Sequence, residues 1–260
     1  REPARWGRAV DDAAEPGADA LNCADTAGLA YARDHQPRLR LHLSVQGSAT
    51  SYEAIEFYRE RYGIQRAVLP RVLTLPQVGH VCRHTSAEIE VFGFGSLCVM
   101  VEGRCALSSY ATGQSPNTAG VCSPPSAVRW EDAADGVRAR LNEVLIDRYA
   151  PDEPRGYPTL CKGRFDVEGV RDYALEEPTS LNTLAVLPQL MEFGVSAVKI
   201  EGRQRSPAYV EQVTRVWRAA IDHCAAQPAR FAVQPQWVAA LGRWSEGQQH
   251  TLGAYNRPWR

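Results

Sequence analysis

The stretch EVFGFGSLCVMVEGRCALSSY, Glu90 to Tyr110, changes character halfway along its length. A strand-like run near Glu88–Gly95 leads directly into Cys98, and from Gly93 onward the chain turns rich in Gly, Pro, Ser and Cys. Upstream the pattern is regular. Apolar residues recur at three- and four-residue steps over Ala4–Glu15, Thr26–His35, Ser51–Tyr62 and Leu75–His84, which predicts four amphipathic helices. Strand-like runs lie between them, near Ala18–Ala24, Leu39–Val45 and Arg66–Pro70. Units of strand and helix repeating about every 25 residues imply parallel strands joined by right-handed crossovers.

Downstream, the irregular texture continues to about Pro178, interrupted by the β-like run RLNEVLIDRY and by a second entering ALEEP. The α/β rhythm then returns. NTLAVLPQLMEFGVSAVKIEGR predicts a helix, a stop at Gly194 and a strand ending near Ile200, and a long amphipathic helix follows over about Ser206–Ala226. The division is therefore residues 1–92 as βα units, 93–178 as an insert, and 179–260 as a last βα unit with a tail. Five α/β strands are too few to close an eight-stranded barrel. With Arg1 opening in what reads as the middle of a helix, the expectation is an α/β barrel lacking its first strands. The tail carries Trp237, Trp244 and Trp259 and is expected to pack across the barrel bottom.

A net charge of −1 gives no electrostatic footprint for nucleic acid or an anionic membrane. No run of about eighteen apolar residues occurs, and the N-terminus lacks a signal-peptide layout. A cytosolic setting follows, where thiols stay reduced, so seven cysteines argue for metal binding or chemistry over disulfides. Cys23, Cys82 and Cys224 sit in apolar periodic segments and read as packing residues. Cys98, Cys105, Cys122 and Cys161 lie in irregular chain, separated by six, sixteen and thirty-eight residues. The short C-x-x-C pairs usual in zinc knuckles are missing. Spacing leaves an iron–sulfur cluster, zinc, a catalytic thiol and coincidence all open.

EVFGFGSLCVMVEGRCALSSY, SPNTAGVCSP, YPTLCKGRF and VKIEGRQRSPAYV together resemble the collagenase-like peptidase family (peptidase family U thirty-two), from about Ala4 to the C-terminus. Many members carry a further cysteine a few residues after the one matching Cys122. This chain reads CSPPSAVRW there and offers Cys161 instead, the arrangement of the branch acting in ubiquinone biosynthesis. That resemblance implies a TIM-like barrel with a cysteine-bearing insert after one strand. It also implies a [4Fe-4S] cluster on Cys98, Cys105, Cys122 and Cys161, and oxygen-independent C6-hydroxylation of the aromatic ring of a polyprenyl phenol. The implied partners are a related family member, joined as a heterodimer and holding its own cluster, and a lipid-carrier protein. Nucleic acid is not among them.

Other candidates follow from barrel geometry, where sites form at the C-terminal ends of strands. Lys199, Glu201 and Arg203 of KIEGR end a strand, and arginine takes carboxylates bidentately. They serve equally well as an ion-paired network that organises loops. Gln46 alternates with His42 and Ser44 along HLSVQ and is expected on one strand face with them. Lys162 and Arg164 flank Cys161 and offer positive charge, as exposed basic residues often do. Glu90 and Glu102 are acid–base candidates that more often serve as salt-bridge partners. No catalytic base is assigned. No P-loop, H-E-x-x-H or dinucleotide fingerprint is present. The rival readings are a cysteine peptidase, a zinc-stabilised structural partner, and a hydroxylase of an RNA base.

Overall fold

The computed structural model describes residues 2–101 and 103–256, with backbone alone at residues 2–4, 118 and 119. Its first part runs α1 (Glu2–Ala14), β1 (Ala20–Cys23), α2 (Thr26–His35), β2 (Arg40–Leu43), α3 (Tyr52–Tyr62), β3 (Arg66–Val68), α4 (Leu75–His84) and β4 (Glu88–Ser96). The helices start where short polar side chains satisfy the free N–H groups of their first turns. Asp25 accepts from the Gly28 N–H at 2.9 Å, Ser51 caps α3, and Thr74 and Gln77 form a reciprocal capping box on α4. Short helices α5 (Ala106–Thr112) and α6 (Pro116–Ala119) follow β4. Next come the meander β5 (Val128–Ala133), β6 (Gly136–Leu141), β7 (Val144–Tyr149) and the hairpin β8 (Arg164–Val167), β9 (Val170–Tyr173). The chain then returns through β10 (Ser180–Asn182), α7 (Leu187–Glu192), β11 (Ala197–Ile200), α8 (Pro207–Ala226), α9 (Pro235–Gly242) and β12 (His250–Thr251).

The fold is mixed α/β on a parallel-strand sheet. β1, β2, β3 and β4 are parallel neighbours, β11 joins β4 in parallel, β10 pairs antiparallel with the end of β4, and β12 lies parallel to β10. These are the five α/β strands expected, with two short ones added. Among the described residues no pairing joins β1 to β12, and no helix is long and apolar enough to cross a membrane.

β4 is the axis of this arrangement. Ile89 through Gly95 are all buried, because helices and strands cover both faces. On one side Leu41, Leu43, Ala67, Ile89 and Val91 pack with Leu29, Ile55 and Val78 from the helices. Further along the same face Phe94 meets Leu184, Leu187, Val213 and Trp217, and on the opposite face Phe92 packs with Val45, Val68 and Leu181. Halfway along, the pairing with β11 shifts between Lys199 and Ile200, leaving Gly93 in a bulge. The Gly93 carbonyl accepts from the Thr183 N–H at 2.9 Å, while the Phe94 carbonyl accepts from the Glu201 N–H at 2.9 Å. The bulge thus lets one strand serve both β10 and β11.

Three sequence expectations need correction. RLNEVLIDRY is not one run: the chain turns at Asn142, with φ 50°, and splits it into β6 and β7. HLSVQ leaves the sheet after Leu43, because the Ser44 hydroxyl accepts from the Gln46 N–H at 3.4 Å and starts a 3-10 turn over Val45–Gly47. His42 and Gln46 therefore do not share a strand face with Ser44. The tail does not simply cover a barrel bottom. Trp237 packs on Phe231 and His223, Trp244 meets the edge of Tyr209, and His250–Thr251 enters the sheet beside β10. Trp259 lies outside the described residues.

A methyl group at Gly93 would sit 2.2 Å from Val198 Cγ1 and 3.1 Å from the Trp217 ring, with Trp217 itself fully buried. Overpacking of this kind costs about 1–3 kcal/mol. Gly93→Ala is predicted to lower unfolding free energy by that amount in denaturant titration. An unchanged midpoint would contradict the bulge geometry.

Candidate functional site

The four loop cysteines lie in the irregular chain between β4 and β8. Cys98 is exposed two residues beyond that strand. Cys105 caps α5, its sulfur accepting the Ser108 N–H at 3.3 Å, while the Ser109 hydroxyl donates to the Cys105 carbonyl at 2.9 Å. Ser108 also donates its hydroxyl to the Cys122 carbonyl, which ties the second loop onto the first helical turn. Cys161 lies in a 3-10 turn over Leu160–Lys162, and its carbonyl accepts from the Glu176 N–H at 3.1 Å. No disulfide forms among the described residues.

The thiols of Cys122 and Cys161 each feel other cysteines electrostatically. Burial pushes the Cys122 thiol up, and the neighbouring Cys105 and Cys98 add to the rise. Cys161 is pushed up to about 12, first by burial; Lys162 opposes, and Glu176, Cys122 and Cys98 reinforce. A thiol raised in this way is a poor nucleophile on its own. Among the described residues, no group of three or more His, Cys, Asp and Glu side chains is gathered tightly enough to hold a single metal ion.

Two sets of contacts fix the loops. The first is a buried network around Lys162, whose side chain is 8% exposed. Its ammonium donates to Ser96 Oγ at 3.0 Å and to Glu246, which also receives Ser96 Oγ at 2.7 Å and the guanidinium of Arg205. The Glu246 N–H donates to Ser180 Oγ at 3.0 Å, anchoring the carboxylate over β10. Burial alone would raise the Glu246 carboxyl; Lys162, Ser96 and Arg205 outweigh it and hold the group below its ordinary value. The loop bearing Cys161 is thereby tied to the strand end that leads to Cys98.

The second set runs from the end of β11. Arg203 donates to the Gly120 carbonyl, and Gln204 Nε2 and Tyr157 Oη donate to the Ser123 carbonyl at 3.2 and 3.1 Å. Both carbonyls flank Cys122. The Arg203 N–H donates to Glu201 Oε1 at 3.0 Å. Gln46 reaches the turn before Cys105: a Cβ on Gly103 would lie 2.8 Å from its carboxamide. Lys199 is turned to Glu90 at 3.3 Å, which also takes Arg66 at 3.3 Å. Arg164 pairs with buried Asp147 at 2.8 Å. His42 has a buried, unpartnered Nε2, and burial, then Arg66 and Arg40, lower its pKa. Glu102 lies outside the described residues.

The structure thus brings Gln46 and Arg203 to the cysteine loops and gives Lys199 an ion-pair partner. Sequence reading missed Ser96, Gln204, Glu246 and Tyr157. None carries a local signal, since Glu246 meets Lys162 across 84 positions of chain.

Comparison with known proteins gives the class. Residues 2–257 match the model of peptidase family U32, and the chain belongs to that family. It is 30% identical over 232 residues to the tRNA hydroxylation protein P of Escherichia coli (strain K12), covering 82% of this chain and 50% of that protein. Similarity to tRNA hydroxylation protein P1 of Bacillus subtilis (strain 168) is 29% over 232 residues, or 86% of this chain and 49% of that one. A collagenase of Porphyromonas gingivalis (strain ATCC BAA-308 / W83) is 28% identical over 251 residues, 92% of this chain and 51% of the collagenase. The chain spans about half the length of these relatives. No solved structure matches.

Removing one partner of a buried ion pair costs about 3–5 kcal/mol. Glu246→Gln, which retains hydrogen-bonding capacity, is predicted to cost about 3 kcal/mol in chemical denaturation. A folded carboxyl held below 4.5 contributes stability that is complete above that pH and is lost as pH falls through the folded value. Wild type should therefore lose stability on acidification in that window, and Glu246→Gln should lose less. Parallel pH profiles would contradict the pairing.

Proposed function

We propose that this chain is a UbiU-like iron–sulfur subunit that acts with a UbiV-like partner in oxygen-independent C6-hydroxylation of the aromatic ring during ubiquinone biosynthesis. The relatives' names supply a hydroxylation class at coarser grain. The observation that carries the finer reading is the source of the fourth thiol, Cys161 of YPTLCKGRF, whose side chain shares its electrostatic surroundings with Cys122 and Cys98. The α/β layer of β1–β4 and β11 is read as part of a TIM-like barrel, with this site at the strand C-termini.

The donor set suits a [4Fe-4S] cluster. The absence of short C-x-x-C pairs departs from the zinc-knuckle pattern, and four cysteines drawn from separate loops match the donor set of a cluster. The Ser108 N–H on Cys105 Sγ is the kind of hydrogen bond that tunes cluster sulfurs. Held by Cys98, Cys105, Cys122 and Cys161, such a cluster would supply one-electron transfer.

The chain's own residues then hold and shield. Lys162, Glu246 and Arg205 keep the Cys161 loop seated, and Arg203 with Gln204 seats the Cys122 loop. Gln46, Glu201 and Arg203 stand where a substrate approaching the strand ends would meet polar groups. Lys199 is assigned to the same face through its pair with Glu90. The polyprenyl phenol is delivered by a lipid-carrier protein in the cytoplasm, with no nucleic acid involved.

A second reading, hydroxylation of an RNA base, is favoured by the names of the relatives. A cysteine peptidase is disfavoured, because burial raises Cys122 and Cys161 and no histidine hydrogen-bonds Cys105, Cys122 or Cys161 among the described residues. Anaerobic incubation of the chain and its UbiV-like partner with the ring precursor should yield the C6-hydroxylated product by mass spectrometry. Cys161→Ala should lower that yield at least about 100-fold, a loss of about 2.7 kcal/mol or more in barrier lowering. A hydroxylated tRNA base with untouched ring precursor would transfer the assignment to the second reading.

A further inference from the structure

A cleft of about 280 Å³ opens on the insert, lined from β6, β7, β8 and β9. Arg138, Arg148, Arg164 and Arg171 line it against the carboxylates of Asp135 and Glu153. We propose that it binds a compact anion of two or more negative charges, a phosphoryl or dicarboxylate group, with Arg138 and Arg148 as its ligands.

Two of the four arginines are already engaged. Arg164 holds Asp147 at 2.8 Å and Glu153 at 2.7 Å and lies over the Tyr149 ring; Arg171 holds Asp166 at 3.1 Å. Arg138 and Arg148 are different. They stand directly opposite each other across β6 and β7, an arrangement of like charges that disfavours the sheet. Their nearest carboxylates, Asp135 for Arg138 and Asp166 for Arg148, are each 3.8 Å away, beyond hydrogen-bonding distance. Asp166 is the same group that Arg171 already holds. Glu131 faces Arg138 from β5 but pairs with Arg140 at 2.9 Å instead. The Arg138 Nε is buried with no hydrogen-bond partner.

Two facing arginines without close carboxylates define what is missing. A tetrahedral or carboxylate anion placed between them accepts from the exposed guanidinium N–H groups of both and cancels their repulsion. A singly charged halide offers neither the fork geometry nor enough charge. The site stands independently of the cysteine chemistry, and its test needs no cluster.

Titration of the 260-residue chain with inorganic phosphate and with malonate, against chloride at equal ionic strength, tests the proposal by calorimetry and thermal shift. Phosphate or malonate should bind and raise the melting midpoint above the chloride control. Arg138→Gln and Arg148→Gln should each weaken binding about tenfold or more, as loss of one charge-assisted contact requires. Without ligand the double variant should melt no lower than wild type, because the like-charge pair is gone; a merely structural arginine pair would give the opposite. Binding no better than chloride, or equal binding by wild type and both single variants, overturns the assignment.

Discussion

An ammonium group removed from water constrains this molecule more than any other single feature. The Lys162 side chain is nearly fully buried, and Glu246 and Ser96 receive its ammonium, with Arg205 closing the other side of the carboxylate. Each partner comes from a different part of the chain: the end of β4, the turn carrying Cys161, the loop before α8 and the tail after α9. Isolated burial of any one of these charges would cost several kcal/mol. The four segments therefore have to arrive together, and their arrival sets Cys161 opposite the strand that leads to Cys98.

The sheet supplies the rest of the frame. Because Gly93 bulges, β4 hands its hydrogen bonds from one neighbour to another over two residues, and the chain returning as β10 places Glu246 within reach of the strand end through Ser180. Packing, not polar chemistry, holds that frame rigid: Leu43, Ile89, Phe94 and Trp217 lie under the helices and Phe92 and Val68 on the opposite face, all nearly inaccessible. Loops tethered to such a frame keep their sulfurs in place without disulfides. Burial raises the thiols of Cys122 and Cys161, a preference that a metal centre bound there would reverse by holding them as thiolates.

Much of this was legible from residue order alone. Helices α2 and α4 match their periodic segments at both ends, because Asp25 and Thr74 are capping residues and the apolar spacing is regular. The five α/β strands were visible as β-rich runs between those helices. Less visible was the insert. The turn at Asn142 and Glu143 interrupts a run whose flanks both favour strand, so two strands looked like one. The three-residue β10 carries too little pattern to be seen before the helix that follows it. Of the site, the cysteines stood out by residue type and the loops around them by composition. What holds them did not, since Lys162 with Glu246 and Arg203 with Gly120 are pairings of distant segments that no local spacing encodes.

The central claim is that Cys98, Cys105, Cys122 and Cys161 together grip one inorganic cluster. Anaerobic purification followed by iron and acid-labile sulfide analysis, with EPR of the reduced protein, addresses it most directly. The account predicts about four irons and four sulfides per chain with the signal of a reduced four-iron centre, and loss of both in Cys161→Ala. A colourless wild-type protein holding a single zinc, or a Cys161→Ala variant that retains the full cluster, would contradict it.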